Sequence, residues 1–209
     1  MRESVPVIEL PALDLPQRLT IKGNVLSRRE CQTLIAIYDE HVHLSSQKDY
    51  CGNQVVHYSA LNTIPEGQAQ IRTMVSTIRR SLGLSDSYGR LYLESVFIAM
   101  LPPDSYHPLH ADNEQCVKGK WTPNHTPQRD YSAILYLNSE FEGGELFFEA
   151  LDVRIKPARG LLIGFPSHHR FIHGVDPVVL GNRYSISLWF TRWLDHSLDL
   201  TPSRLEPGT

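Results

Sequence analysis

Four residues, His110, Asp112, His173 and Arg183, have side chains that together could hold a metal ion and a small acid. Two imidazoles and one carboxylate form the facial ligand set that binds non-haem Fe(II) and leaves other coordination positions open. His110 and Asp112 are two positions apart, and residues at that spacing point to the same side of a strand. His173 must then come from a second strand that lies alongside the first. The residue types and their spacing predict an iron site.

Arg183 follows His173 by ten residues in a region rich in predicted strands. A guanidinium group binds a carboxylate through two parallel hydrogen bonds. A dicarboxylic acid could therefore chelate the metal at one end and bind Arg183 at the other. The structural alternatives are that the His110–Asp112 spacing arises by chance among ten histidines, and that Arg183 forms a surface salt bridge.

The composition is that of a globular chain without a broad basic surface. A length of 209 residues suits one domain with a full core, and 41% of the residues are hydrophobic. The net charge of −3 argues against nucleic acid as a partner, and no apolar run is long enough for a membrane span. The N-terminal residues lack a signal-peptide pattern, and three scattered cysteines favour reduced thiols. We therefore expect a cytoplasmic protein.

The first 90 residues are predicted to contain an extended lead-in, with a strand near 19–21, and two helices. Ser27 and Glu30 have capping-box spacing at the start of the first helix. An apolar stripe predicts the second helix over 66–82, and Gly83 suits its end. The polar segment 45–62 between them is predicted to be a loop or an irregular strand.

The pattern after residue 90 predicts short strands separated by Gly and Pro, which is typical of a sandwich or barrel. The predicted strands cover 91–101, 131–137, 145–148, 153–155, 161–165, 170–175 and 183–190. Segment 117–129 is polar and contains Pro, so we expect a loop that acts as a lid or contacts substrate. Gly143 and Gly144 are expected to permit a turn or a close approach of strands, and Trp189 is expected in the core.

Several segments occur in an order that resembles a known family: HADN, RDYSAILYLNSEFEGGELFF, IKPARG, HGV, G-x-R and LWFT. They resemble the iron(II)- and 2-oxoglutarate-dependent prolyl hydroxylases, in particular the catalytic domain of leprecan-type prolyl 3-hydroxylases. The resemblance implies a mainly β fold, a double-stranded β-helix (jelly roll) with N-terminal helices packed on its major sheet. It implies one oxygenase domain over 1–209, with lead-in and supporting helices in 1–90 and the catalytic core in 91–192.

The resemblance also implies roles for individual residues. His110, Asp112 and His173 would be the iron ligands and thus the catalytic residues. Arg183 would bind the C5 carboxylate of 2-oxoglutarate, and Tyr136 would add a hydroxyl group to that carboxylate.

Three further polar residues near the predicted ligands are candidate substrate contacts: Asn113, Arg129 and His107. A structural role is the alternative for each of them.

The implied activity is hydroxylation of a C–H bond with O2 and 2-oxoglutarate, releasing succinate and carbon dioxide, with ascorbate as a candidate reductant. The expected substrate is a prolyl residue in a peptide or protein. One alternative is the same reaction on free proline, another amino acid or a small metabolite. An alternative of another class is a non-catalytic metal-binding jelly-roll protein, which would not need the carboxylate anchor formed by Arg183 and Tyr136. The oligomeric state stays open.

Overall fold

A computed structural model describes residues 18–45, 48–49, 51–61, 64–84 and 91–198 of the chain. These residues form a mainly β structure with two α-helices. Most of the predicted lead-in, and positions 46, 47, 50 and 62 of the predicted segment 45–62, lie outside the described residues. No helix among the described residues is both long enough and apolar enough to cross a membrane.

Both predicted helices are confirmed with their terminal signals. Helix α1 spans Arg28–His41, and the Ser27 hydroxyl accepts a hydrogen bond from the backbone N–H of Glu30. The Glu30 carboxylate accepts one in return from the backbone N–H of Ser27, which completes the capping box. Helix α2 spans Pro65–Leu82 and ends at Gly83, whose φ of 68° is the left-handed conformation that glycine adopts without strain.

Two facing sheets make up most of the described β structure. The strands are β1 (Thr20–Lys22), β2 (Val55–His57), β3 (Tyr92–Leu101), β4 (His107–His110), β5 (Glu114–Val117), β6 (Lys120–Pro123), β7 (Tyr131–Tyr136), β8 (Phe141–Gly143), β9 (Leu146–Phe148), β10 (Val153–Ile155), β11 (Leu162–Pro166), β12 (His173–Val175), β13 (Val178–Gly181) and β14 (Arg183–Thr191). The larger sheet has the order β1-β11-β7-β14-β3-β2, and the smaller has the order β10-β9-β12-β4. Two further antiparallel pairs, β8 with β13 and β5 with β6, lie outside them.

One hydrophobic cluster fills the space between the two sheets. It combines Leu101, Tyr136 and Phe165 of the larger sheet with Leu146 and Phe148 of the smaller one. This pair of sheets is jelly-roll-like, and it encloses the region in which the predicted site residues lie.

A second cluster contains the apolar side chains of α1 and α2 together with residues of the larger sheet. Adjacent strand residues contribute to different clusters, since Leu135 belongs to the second cluster and Tyr136 to the first. Side chains alternate between the two faces of a strand, so β7 is buried on both sides. This explains why its sequence, YSAILY, is almost entirely apolar.

The predicted loop over 117–129 is wrong in its first half, where the structure has the antiparallel hairpin β5–β6. Lys118 and Gly119 form the connection, with φ of 52° and 75°. Two successive residues with positive φ are typical of the two-residue hairpin turn that matches strand twist. The common turn sequences place Asn or Asp before Gly, so Lys-Gly was not recognised as a hairpin signal. The predicted strand over 170–175 is also shorter, because only His173–Val175 is extended.

The capping box predicts a measurable contribution to stability. We expect Ser27→Ala to lower the free energy of unfolding by about 1 kcal/mol, because the backbone N–H of Glu30 in the first turn of α1 loses its acceptor. Gln32→Ala, at an exposed position of the same helix, is the matched control and should be close to neutral. Urea denaturation followed by circular dichroism measures both, and an equal loss in the two variants would contradict the role of the cap.

Candidate metal centre and active site

The two histidines of the predicted metal site lie on neighbouring strands of the smaller sheet. His110 at the end of β4 is the direct cross-strand partner of His173 at the start of β12, and the ring centroids are 4.3 Å apart. The expectation that His173 comes from an adjacent strand is thereby confirmed. Asp112 differs from the prediction, because it lies beyond the end of β4 in a bend. Its backbone N–H donates to the carbonyl of Ser167, 3.0 Å away, instead of continuing the strand.

The Asp112 carboxylate lies between the two imidazoles. Its Oδ1 is 3.9 Å from Nε2 of His110, and its Oδ2 is 3.9 Å from Nε2 of His173. One ligand atom from each of the three side chains lies within 4.8 Å of the other two. Two imidazole nitrogens and one carboxylate oxygen are the donor set that suits Fe(II) with open coordination positions.

Both histidines are held in the form that a metal requires. Nδ1 of His110 lies 2.9 Å from the carbonyl of Pro108, and Nδ1 of His173 lies 3.0 Å from the carbonyl of Phe171. A carbonyl can only accept, so each Nδ1 carries the hydrogen and each Nε2 has its lone pair directed away from that bond. Each acceptor is two residues before its histidine. A hydrogen bond to a backbone carbonyl therefore orients both imidazole rings in the same way, as in other metal sites where such bonds fix the orientation of the ligands.

The electrostatics of the buried triad keep the carboxylate charged and His173 neutral. Burial acts to raise the pKa of Asp112, but His173, His110 and the hydroxyl of Ser132 lower it, and the net pKa is below its usual value. Burial and the neighbouring His110 lower the pKa of His173 to about 4. At neutral pH Asp112 and His173 are thus deprotonated donors, which a metal ion needs.

A serine pair supports the carboxylate. The Ser132 hydroxyl donates to Asp112 Oδ2 at 2.6 Å, and Ser132 and Ser167 share a hydrogen bond of 2.7 Å between their Oγ atoms. Both serines are buried. The sequence reasoning missed them, although a serine within the apolar strand YSAILY was a usable signal.

Arg183 is a buried cation without an anionic partner among the described residues. It is 2% exposed at the start of β14, and its Nη2 donates to the hydroxyl of Tyr136 at 3.2 Å. Its Nη1 donates to Ser185, while its buried Nε has no acceptor among the described residues. Burying a charge is costly unless a counter-charge offsets the lost hydration. The arrangement therefore fits an acidic ligand that brings its own carboxylate, as expected from the sequence.

The predicted close approach at the two glycines is confirmed. Gly144 has a φ of 68°, and a Cβ at this position would lie 2.8 Å from Cδ of Arg183. Gly143 has a φ of 75°, and its Cβ would lie 2.3 Å from the carbonyl of Pro177. Gly144 thus leaves the space that the Arg183 side chain occupies, and Gly143 permits the close approach of the backbone at Pro177.

A cavity of about 680 Å³ is lined by the triad and by Arg183. Of the candidate substrate contacts, His107 and Arg129 also line it, and His107 Nε2 lies 3.0 Å from Oδ2 of Asp49. Asn113 is not among the lining residues, and its amide donates to the carbonyl of Arg129 at 2.7 Å.

Trp189 was expected in the core, but the structure places it in the cavity wall, half-buried. Arg183, Ser185 and Ser187, at alternate positions of β14, line the same cavity, so the regular alternation of side chains along the strand directs Trp189 to the cavity face.

The hydrogen bond from Ser132 predicts an effect on metal affinity. We expect Ser132→Ala to weaken Fe(II) binding about tenfold, since removing a group that orients a ligand typically costs 10- to 100-fold. Ser185→Ala is the matched control, because Ser185 is equally a buried serine but contacts Arg183 instead of Asp112. Anaerobic metal titration compares the two variants. Equal Fe(II) affinity in Ser132→Ala and the unmodified protein would contradict the role of this bond.

The buried guanidinium predicts an effect on the acid. We expect Arg183→Ala to weaken 2-oxoglutarate binding by roughly 10- to 150-fold. This corresponds to the loss of a charged hydrogen-bonded pair that contributes about 1.5–3 kcal/mol. Tyr136→Phe should act in the same direction but less, and neither should change Fe(II) affinity much. Anaerobic calorimetry with Fe(II) present measures this. A normal 2-oxoglutarate affinity in Arg183→Ala would place the anchor elsewhere.

Comparison with known proteins agrees with this geometry. The profile of the 2OG-Fe(II) oxygenase superfamily matches residues 96–191, which include the triad and Arg183. Over 218 residues the chain is 33% identical to prolyl 3-hydroxylase 1 of Homo sapiens, a match that covers 87% of this chain and 29% of that protein. The chain thus spans less than a third of the length of this relative.

Two solved structures share the fold. The viral collagen prolyl hydroxylase of Paramecium Bursaria Chlorella virus-1, in its 2OG complex, superposes with a TM-score of 0.62 at 20% identity, covering 84% of this chain and 96% of that one. A prolyl-4-hydroxylase of Pseudomonas putida superposes with a TM-score of 0.59 at 23% identity, covering 85% and 94%. The matched superfamily uses Fe(II) and 2-oxoglutarate, and the donor set and the buried arginine fit both. Residues 96–191 form a 2OG-Fe(II) oxygenase domain, and the chain is similar in sequence to prolyl 3-hydroxylase 1.

Proposed function

We propose that this chain is an Fe(II)- and 2-oxoglutarate-dependent dioxygenase that hydroxylates a prolyl residue in a peptide or protein. The observation that carries the proposal is that one cavity is lined by the triad and also by Arg183, which is buried and has no anionic partner among the described residues. A metal-binding protein without catalysis would have no use for a buried carboxylate anchor beside its metal. When bound, Fe(II) and 2-oxoglutarate would supply an oxidation that consumes O2 and releases succinate and carbon dioxide.

The protein would contribute geometry, electrostatics and exclusion of water. The triad would hold Fe(II), while Arg183 and Tyr136 would bind the far carboxylate of 2-oxoglutarate. The aromatic rings of Phe165 and Phe148 lie 4.7 and 5.6 Å from the ring of His173 and cover it. Such an apolar surround strengthens the charge interactions in the site and keeps water from it.

One wall of the cavity suits the polar backbone of a peptide. The guanidinium of Arg129 lies 3.9 Å from the ring of Trp189, and its Nε donates to Glu94 Oε2 at 3.1 Å. The Nε1 of Trp189 is buried and has no acceptor among the described residues. The wall thus combines an aromatic ring with a guanidinium group, whose N–H groups donate to carbonyl oxygens. The peptide carbonyls on either side of a prolyl residue are acceptors of this kind.

The 33% sequence identity to prolyl 3-hydroxylase 1 supports a prolyl substrate. The same Arg129 favours a second candidate, a free amino acid, because a guanidinium also binds an α-carboxylate. Free proline or another small molecule is therefore the alternative substrate.

We further propose that residues 1–209 act as one oxygenase domain in a reducing compartment, with ascorbate as a reductant and without a nucleic-acid or membrane partner. The chain has three cysteines at scattered positions, which supports the reducing compartment. The net charge of −3 supports the absence of nucleic acid. The cluster that α1 and α2 share with the larger sheet supports a bracing role for these helices.

A substrate panel tests the proposed activity. We expect protein supplied with Fe(II), 2-oxoglutarate and ascorbate to add one oxygen atom to the proline of a peptide with the centre Gly-Pro-Gly, as measured by mass spectrometry. The variant His173→Ala should form no product, because one of three iron ligands is lost. Oxidation of free proline or another amino acid alone would establish the second candidate. Absence of any product, together with no 2-oxoglutarate binding, would leave the non-catalytic metal-binding alternative.

A further inference from the structure

The hairpin β5–β6 carries a tryptophan at the cavity that neither the metal site nor the arginine anchor uses. Trp121 lines the cavity and is 37% exposed. Its indole stacks on the imidazole of His169, with ring centroids 5.1 Å apart and an angle of 13° between the ring planes. A large aromatic side chain left exposed beside a cavity, with one neighbour stacked against it, presents a flat apolar surface to whatever enters.

The stacked pair is held rigidly. Oε2 of Glu114 lies 2.6 Å from Nδ1 of His169 and also accepts the backbone N–H of His169 at 2.8 Å. Glu114 belongs to the same hairpin as Trp121, and it pairs across that hairpin with Pro123. The bonds therefore tie the hairpin to the segment that leads to His173.

A rigid aromatic surface binds a ring with little loss of conformational freedom. A proline-rich peptide also loses little conformational freedom on binding, because the proline ring fixes the backbone in an extended form beforehand. Proline-rich segments are recognised elsewhere by aromatic-lined grooves for this reason. Leu109, also exposed and also lining the cavity, extends the apolar surface.

We propose that Trp121, backed by His169, is a second recognition point that binds a proline flanking the oxidised residue of an extended peptide. This inference rests on the proposed prolyl-peptide activity and adds its sequence preference. A free amino acid has no flanking proline to bind Trp121, so the platform selects longer proline-rich substrates over short ones.

The test compares three peptides with the same Gly-Pro-Gly centre. One is the bare tripeptide, one is a nonapeptide with three prolines on each side, and one is a nonapeptide with three glycines on each side. We expect the unmodified protein to show the lowest KM for the proline-flanked nonapeptide. Trp121→Ala should raise that KM about tenfold, equivalent to about 1.4 kcal/mol, without changing the KM for the tripeptide or for 2-oxoglutarate. Trp193→Ala is the control, because Trp193 is exposed and lies outside the cavity lining, and it should leave all of these KM values unchanged.

The backing residue gives a second readout. His169→Phe keeps a flat ring behind Trp121 and should retain part of the preference, whereas His169→Ala should lose most of it.

Binding of a fluorescently labelled proline-flanked nonapeptide, measured by anisotropy without turnover, separates the two claims. Binding that Trp121→Ala weakens, in a protein that oxidises no peptide, would support the platform and overturn the proposed substrate. Oxidation of all three peptides with equal KM, or equal KM values in Trp121→Ala and the unmodified protein, would overturn the platform and leave the proposed activity intact.

Discussion

The buried carboxylate of Asp112 is the group on which the arrangement of the centre depends. Removing a carboxylate from water is costly unless hydrogen bonds and opposite charge offset the loss of hydration. Here Ser132 donates to one oxygen at 2.6 Å, and the two imidazole Nε2 atoms lie 3.9 Å from the carboxylate. A divalent cation at the junction of the three side chains would supply the missing positive charge. The same requirement explains why a serine is retained inside an otherwise apolar strand.

The two sheets position the other groups around this carboxylate. The pairing of β4 with β12 brings His110 opposite His173, and β14 of the larger sheet carries Arg183 at its first residue. Arg183 can occupy its position because Gly144 has no Cβ to meet it. Two buried groups of opposite charge, Asp112 and Arg183, thus face one cavity without contacting each other. A bound metal ion would supply positive charge beside Asp112, and the carboxylate of a bound acid would supply negative charge beside Arg183.

The sequence predicted the parts of this site that depend on local pattern. Spacing and residue type identified the triad and Arg183, and the capping and glycine signals located both helices. The sequence could not show that Asp112 leaves the strand, because that follows from the bond of its N–H to Ser167. Trp189 was expected in the core because a large aromatic side chain in a strand usually packs there, but it lies on the cavity face of β14 with Arg183 and Ser187. The hairpin β5–β6 was missed because Lys118 adopts a positive φ in a turn that Asn or Asp usually occupies.

The cavity is expected to bind Fe(II) and 2-oxoglutarate together, with the triad at one end of the acid and Arg183 at the other end. Anaerobic titration followed by visible absorption measures this, since chelation of Fe(II) by the acid gives a weak charge-transfer band. We expect a band that appears only when Fe(II) and 2-oxoglutarate are both present. Saturating Fe(II) and 2-oxoglutarate without a band, in a protein shown to be folded and to bind the metal, would contradict it.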